Sequence, residues 1–533
     1  MNRKNLTAAV LAGLAGAAGI VGSAQAVNIN PDGLGQVLIY PYYTTNGDNF
    51  TILSVVNTTD QAKAIKVRFK EGKNSREVLD FNLYMSAWDV WTAAVTNIVV
   101  DGEAVPGLIV NDNSCTVPYL YENEGGKQPF LVFGMSDQTD PDAFGDISRA
   151  TEGYFEMIEM GVLTEDSESA ISATHKAGEM TTCQNLVDAW TVDDDITGLG
   201  GYWNPVTGNP AIDIETPTGG LFGGASILNV SAGTMYSYDA KAINGFVDAG
   251  LFGTLHGEPG FSLPSLNDGN ITEGKVFLDN GEVLASGDLS RGIDAISFVF
   301  MHDQIMNEYT TEGVIAAETE WVLTFPTKSY YVYEPESSSP NPVAPFISTW
   351  DAATEKACEN VTLDTIWDRN ERTIVTETPD GEPIPPIVSP RPPVDEINPD
   401  PVIPFELCYE VSVIRFGGPL PTPKIEGAVA TTPILGSSNF HSIDNETELN
   451  FENGWARLQM ADYKADEDDS GTIDPDEEFT RTALGGLEGL PITGFAVESF
   501  ENGFLGDGAD VLANYGGVLQ HKATRRMGSS AVQ

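Results

Sequence analysis

The sequence predicts a mainly β protein built from antiparallel, sandwich-like lobes with few short helices. Three observations carry that expectation: period-two alternation of apolar and polar side chains, turn dipeptides between such runs, and scarce helical periodicity. In Ile65-Lys66-Val67-Arg68-Phe69-Lys70 the apolar and basic side chains change places at every residue. This predicts a half-buried strand with one face on a core and the other in solvent. Asn46-Gly47 stands between the runs Gln36 to Tyr43 and Phe50 to Val56, and Asp101-Gly102 and Asn280-Gly281 have similar settings. Each reads as a hairpin turn, where positive φ is required. Aromatic and β-branched runs at Ile296 to Met301, Trp321 to Phe325, Ser329 to Tyr333 and Glu410 to Phe416 predict further strands. The best helical signal is Thr181 to Trp190. No repeat of fixed period is visible, which argues against a solenoid or propeller.

The first residues set Arg3 and Lys4 before an apolar run from Leu6 to Val21, followed by Ala24-Gln25-Ala26. That order predicts a secretory signal peptide over residues 1–26, with a mature chain beginning at Val27. No later stretch approaches the roughly 20 apolar residues of a spanning helix. The chain carries 78 acidic against 27 basic residues, a formal charge of -51 that becomes -53 when Arg3 and Lys4 leave with the leader. Nucleic acid is excluded as a partner by that field, which instead attracts cations. Hydrophobic residues make up 41% and aromatics 9%, enough to build a core and unlike an acidic disordered chain.

Four cysteines occur, Cys115, Cys183, Cys358 and Cys408, none in a Cys-x-x-Cys pair. An even number in an exported chain predicts disulfides, with zinc as the weaker reading. Of the three connectivities, Cys115 with Cys183 and Cys358 with Cys408 is favoured because each pair stays within one half of the chain. The proline-rich stretch 378–404 cannot form ladder hydrogen bonds. Because Cys358 and Cys408 bracket it, it reads as an excursion that returns to its origin. The domain boundary is therefore expected before Cys358, giving an N-terminal β domain over residues 27–344 and a C-terminal β domain over residues 345–533.

The sharpest motif is Asp466-Glu467-Asp468-Asp469-Ser470-Gly471-Thr472-Ile473-Asp474-Pro475-Asp476-Glu477. It resembles, position by position, the twelve-residue calcium loop of EF-hand proteins. By that resemblance Asp466, Asp468 and Ser470 supply side-chain oxygens, Thr472 a carbonyl, Asp474 a water-mediated contact and Glu477 a bidentate carboxylate. Gly471 stands where the loop must turn and Ile473 where an apolar anchor is needed. The flanks read as strands, Trp455 to Met460 before and Leu490 to Val497 after, so a lone calcium loop at a hairpin tip is expected. Its calcium would stiffen the structure.

Other candidates are weaker. No Gly-x-Ser-x-Gly elbow, His-Glu-x-x-His helix or phosphate-binding glycine loop occurs, and no residue is assigned a catalytic role. His175, His256, His302, His441 and His521 are scattered; Met301-His302-Asp303 with Met306 is the most suggestive group, and a hydrogen-bonded histidine at a strand end is its better reading. Trp88, Trp91, Trp203, Trp321 and Trp350 would make a sugar-stacking platform if exposed on one face, although core tryptophan is the default. Lys63, Lys66, Arg68, Lys70, Lys73 and Arg76 gather the scarce positive charge. They predict either a stripe that docks on the acidic surface of another copy or, slightly favoured, an edge strand guarded by lysines.

Val37 to Tyr43, Phe69 to Phe81 and Trp321 to Lys328 resemble segments of a proteobacterial family of secreted surface proteins, a likeness spanning most of the mature chain. It implies export and a shared fold and carries no catalytic residue. The expected function is a structural or interaction protein, secreted or at the cell surface with periplasm as the other compartment. Calcium and two disulfides would stabilise it, and its partners would be its own copies or an extracellular matrix. The alternative class is a carbohydrate-active enzyme or carbohydrate-binding module.

Overall fold

The structure, a computed structural model, describes residues 26–131, 147–176, 178–180, 182–191, 200–248, 253–278, 280–333, 343–351, 353–373, 403–420, 429–446, 449–464, 478–503 and 513–528. It is mainly β, with a few short helices among the described residues. Four large sheets form it. The first runs Asn28–Ile29, Lys241–Asn244, Val37–Thr44, Glu152–Leu163, Lys63–Glu71, Glu77–Met85, Cys115–Val117. The second, of six strands, runs Thr234–Asp239, Leu221–Asn229, Asn49–Asn57, Val90–Val100, Glu103–Ile109, Lys127–Pro129. The third runs Ile403–Leu407, Glu359–Asp368, Asn453–Gln459, Gln304–Thr310, Lys522–Thr524, and the fourth Phe440–Ile443, Val411–Phe416, Ala317–Thr324, Thr493–Phe500, Tyr515–Gln520. Pairing within them is antiparallel except between Val411–Phe416 and Phe440–Ile443.

Two large cores result, with a smaller third around Tyr84, Trp190 and Trp203, and neighbouring residues of one strand feed both large ones. Trp321 and Leu323 pack into a core shared with the third sheet, whereas Val322 between them packs into the core between the first and second sheets. Phe495, Ala496 and Val497 divide in the same way, as do Val37, Leu38, Ile39 and Tyr40. The first and fourth sheets are therefore buried on both faces there, which accounts for apolar runs without alternation. Strand pairing also crosses residue 344: Ala317–Thr324 lies between Val411–Phe416 and Thr493–Phe500, and Gln304–Thr310 pairs with Asn453–Gln459. The expected division at 344/345 does not partition the sheets.

Several local expectations change. Ile296 to Phe300 is not a strand, because Gly292–Phe300 is an α-helix buried on every side, and of the expected run only Met301 enters a short strand. Asp294 fixes its start by accepting from the Arg291 backbone N–H at 3.1 Å. A short run apolar at every position carries no period, so helix and strand look alike in it. Ser329–Val332 is likewise one helical turn, with the Tyr331 hydroxyl donating to Asp294 at 2.8 Å. Asp101-Gly102 and Asn280-Gly281 do close hairpins. Asn46-Gly47 does not: Val37–Thr44 pairs in the first sheet and Asn49–Asn57 in the second, so this turn carries the chain between layers.

Both disulfides, Cys115–Cys183 and Cys358–Cys408, are formed. The first anchors the helix Cys183–Asp188, within the segment expected to be helical. The strands flanking the proline-rich stretch pair with each other from Glu359↔Leu407 to Leu363↔Ile403, so its ends meet; most of the stretch itself lies outside the described residues.

Candidate functional site

The strand Lys63–Glu71 is central, between Glu152–Leu163 and Glu77–Met85, and all its residues are buried. The expected solvent-facing basic stripe is thus overturned, as an edge strand and as a docking surface. Its cations are paired inside: Lys63 with Glu159 at 2.6 Å, Lys66 with Asp80 at 3.0 Å, Arg68 with Glu156 at 2.7 Å and Glu77 at 3.0 Å. Burial and then the neighbouring Glu77 push the Asp80 carboxyl up to about 7, and burial lowers Lys66. Alternation of apolar with charged residues was legible; that acids from adjacent strands would cover the charged face was not.

Of the strand's cations, Arg68 and Lys70 line a cleft of about 670 Å³ with Arg76, Arg291, Tyr330 and Tyr333. Among the described residues, the buried Arg68 Nε, Asn74 Nδ2 and Glu77 Oε1 in its lining side chains have no hydrogen-bond partner. Donors and an acceptor therefore stand together along one wall.

The six-stranded sheet presents a different surface. Its inner face packs Leu53, Val55, Trp91, Ile227 and Tyr236 into the core. Outward, the middle strand offers Phe50, Ile52, Ser54 and Val56, and its neighbour Phe222, Gly224, Ser226 and Leu228. Register brings Phe222 opposite Val56, Ser226 opposite Ile52, Leu228 opposite both Phe50 and Met235, and Val90 opposite Val56. Ile52, Phe222, Val90 and Met235 are 41%, 42%, 47% and 56% exposed. At sheet spacings this is a face of roughly 14 by 20 Å. None of the positions just named carries a charge; Asp239 stands on the same face opposite Gly224, and Asp112 accepts from outward Thr92 on the other side. The sequence signal was present, since Phe50 to Val56 is apolar at both parities, more than a one-sided strand needs.

The six expected calcium ligands, Asp466, Asp468, Ser470, Thr472, Asp474 and Glu477, lie outside the described residues. Their setting does not: Asp462–Lys464 and Glu478–Thr480 form an antiparallel hairpin that flanks residues 465–477. Those strands are nearer the loop than the runs expected to flank it. Tyr463 stacks on Phe479 at 5.6 Å, and Thr480 Oγ1 donates to Asp462 at 2.8 Å. Arg526 grips Asp462 and Glu488, and its hydrogen bonds hold the Asp462 carboxyl below the usual range.

The remaining candidates are placed as follows. Trp91, Trp203 and Trp321 are fully buried while Trp88 is exposed, so the five tryptophans make no common platform. His256 sits in an aromatic box, its Nε2 2.9 Å from the Tyr84 hydroxyl, with Trp203 edge-on; burial lowers it to about 4. His441 stacks on Phe405 at 4.0 Å. Met301 is in the core and Met306 lines another pocket, so neither joins His302 in a metal site. Cys358, Glu406 and Cys408 converge, but the sulfurs are bonded to each other and offer no thiolate to zinc. Ser86, His175 and Asn113 make a chain of contacts at 2.9 and 3.2 Å, in nucleophile, base and orienter order. Ser86 is only 7% exposed, and the group serves as an internal polar contact.

No helix among the described residues is long and apolar enough to cross a membrane. No protein-family model matches the chain, and neither curated proteins nor solved structures hold a match to it.

Proposed function

We propose that this protein is an exported structural and interaction protein that associates with copies of itself through the outer face of its six-stranded sheet. The uncharged, largely apolar outer surface of its two middle strands, Phe50 to Val56 and Phe222 to Leu228, is the observation that carries the reading. On a chain of formal charge -51, most surfaces repel a second copy, and a neutral apolar face is where two copies meet at least electrostatic cost. A two-fold pairing would place like residues across from one another. Burial of the basic stripe supports this reading, because it removes the rival surface. The two disulfides agree with an oxidising compartment, and the hairpin from Asp462 to Thr480 gives the proposed calcium loop a fixed base.

A cysteine placed at the centre of the face tests the reading. Ser226→Cys should form a disulfide-linked dimer on mild oxidation, whereas a cysteine on a charged surface, Glu308→Cys, should not. Equal cross-linking of the two variants would contradict it.

One observation favours a second reading, carbohydrate binding. The donors Arg68 Nε and Asn74 Nδ2 beside the acceptor Glu77 Oε1, near the rings of Tyr330 and Tyr333, suit a ligand rich in hydroxyls. Calorimetric titration with neutral and acidic oligosaccharides checks it, and absence of saturable heat for both would remove it.

A further inference from the structure

A smaller cavity of about 230 Å³ lies where the first, third and fourth sheets come together. Four basic side chains reach it: Lys241, His302, His521 and Arg525. No carboxylate is among the described residues that line it. In a chain with 78 acids and 27 strong bases, a cavity wall that gathers Lys241 and Arg525 beside two histidines is unusual.

The polar groups there are incompletely used. Arg525 gives one Nη2 hydrogen bond to the Val299 carbonyl at 3.1 Å, while its buried Nε has no partner. His302 Nδ1 is buried without a partner, and so is Thr493 Oγ1, on a residue 7% exposed. Lys241 Nζ donates to Gln520 Oε1 at 3.2 Å, leaving further N–H donors. His521 is fully committed: Nε2 faces the Val322 carbonyl at 3.0 Å and Nδ1 faces Asn307 Nδ2 at 3.1 Å. Burial drives His521 to about 4 and Arg525 down to about 10; burial and then Arg525 hold His302 well below its ordinary value. Asp239 and Asp303, which act on Lys241 and Arg525 from outside, offset this only in part.

The opposite side of the cavity is apolar, made by Ile29, Phe300, Ile305 and Ile492. A metal cation is a poor occupant, since His521 has no free nitrogen and two permanent positive charges face it. A few waters would leave the positive charges uncompensated. The cavity volume is several times the ~30 Å³ share of one water. We infer that this cavity binds a small organic carboxylate, its charged head against Arg525, Lys241 and Thr493 and its apolar body against the isoleucines and Phe300.

Calorimetric and thermal-shift titrations of the mature protein with benzoate, butyrate, acetate and inorganic phosphate test this assignment. Benzoate or butyrate is expected to bind saturably and raise the melting temperature, acetate to bind more weakly for want of a body, and phosphate to bind weakly or not at all. Arg525→Gln should weaken benzoate at least tenfold, and Lys522→Gln, a nearby cation outside the cavity, should leave it unchanged. Should Arg525→Gln fail to fold, Thr493→Val provides the same comparison, with a loss of threefold or more. Phosphate binding as tightly as benzoate would overturn the choice of ligand. No saturable carboxylate binding, or binding indifferent to Arg525 and Thr493, would overturn the site.

Discussion

At the scale of single residues, the notable feature is charge held inside a β protein. Glu156 is completely buried and answers both Arg68 at 2.7 Å and Lys70 at 3.5 Å. Removing one partner of a buried pair strands the other, at about 3 to 5 kcal/mol. Glu156→Ala should therefore lower the urea midpoint far more than the same change at the exposed Glu103. Glu410 behaves differently. Burial raises its carboxyl to about 8, and one of its oxygens has no hydrogen-bond partner. The folded chain keeps a proton there that the unfolded chain releases near pH 4.5, so this residue's contribution to stability falls as pH rises from about 5 to about 8. Glu410→Gln should gain on the wild type across that window, by roughly a few kcal/mol at its upper end. Urea titrations at pH 5 and 8 check it, and a constant difference would contradict the assignment. Neither residue's state was legible in sequence. An acid reads as solvated until the topology supplies what covers it, and Glu156 lies 88 residues from Arg68.

At the scale of elements, local signals served where one strand and one turn settle the matter. The Asp101-Gly102 hairpin and the short helix at Cys183 are of this kind. They failed where an element is buried all round, as in Gly292–Phe300, because periodicity vanishes when no face meets water. The calcium motif is legible as sequence, and the structure adds the hairpin below it. A single extracellular loop of this type has a Kd on the order of 0.1 to 1 mM. At 10 mM calcium it would stabilise the fold by about 1.4 to 2.7 kcal/mol. Limited proteolysis with and without chelator should show cleavage within residues 466–477 rising when calcium is removed. Unchanged cleavage and an unchanged melting temperature would dismiss calcium.

At the scale of the molecule, the two large cores share layers instead of standing apart. Val37 to Tyr40 and Trp321 to Leu323 alternate between them, so the first and fourth sheets serve both. The boundary at 344 follows from the cysteines that bracket the proline-rich stretch, yet sheet pairing over more than 150 residues, as between Thr493 and Thr324, leaves no trace in composition or cysteine spacing. The same arrangement buries both faces of the first sheet and leaves the second sheet one face in solvent. Self-association through that face is the central claim, and sedimentation velocity of residues 27–533 beside Ile52→Glu and Phe222→Glu tests it most directly. Wild type should sediment as a dimer or larger species that persists as salt is raised. Each variant should sediment as a monomer with an unchanged circular dichroism spectrum. A wild type that is monomeric at every salt and calcium concentration, or variants that associate as well as it does, would contradict the account.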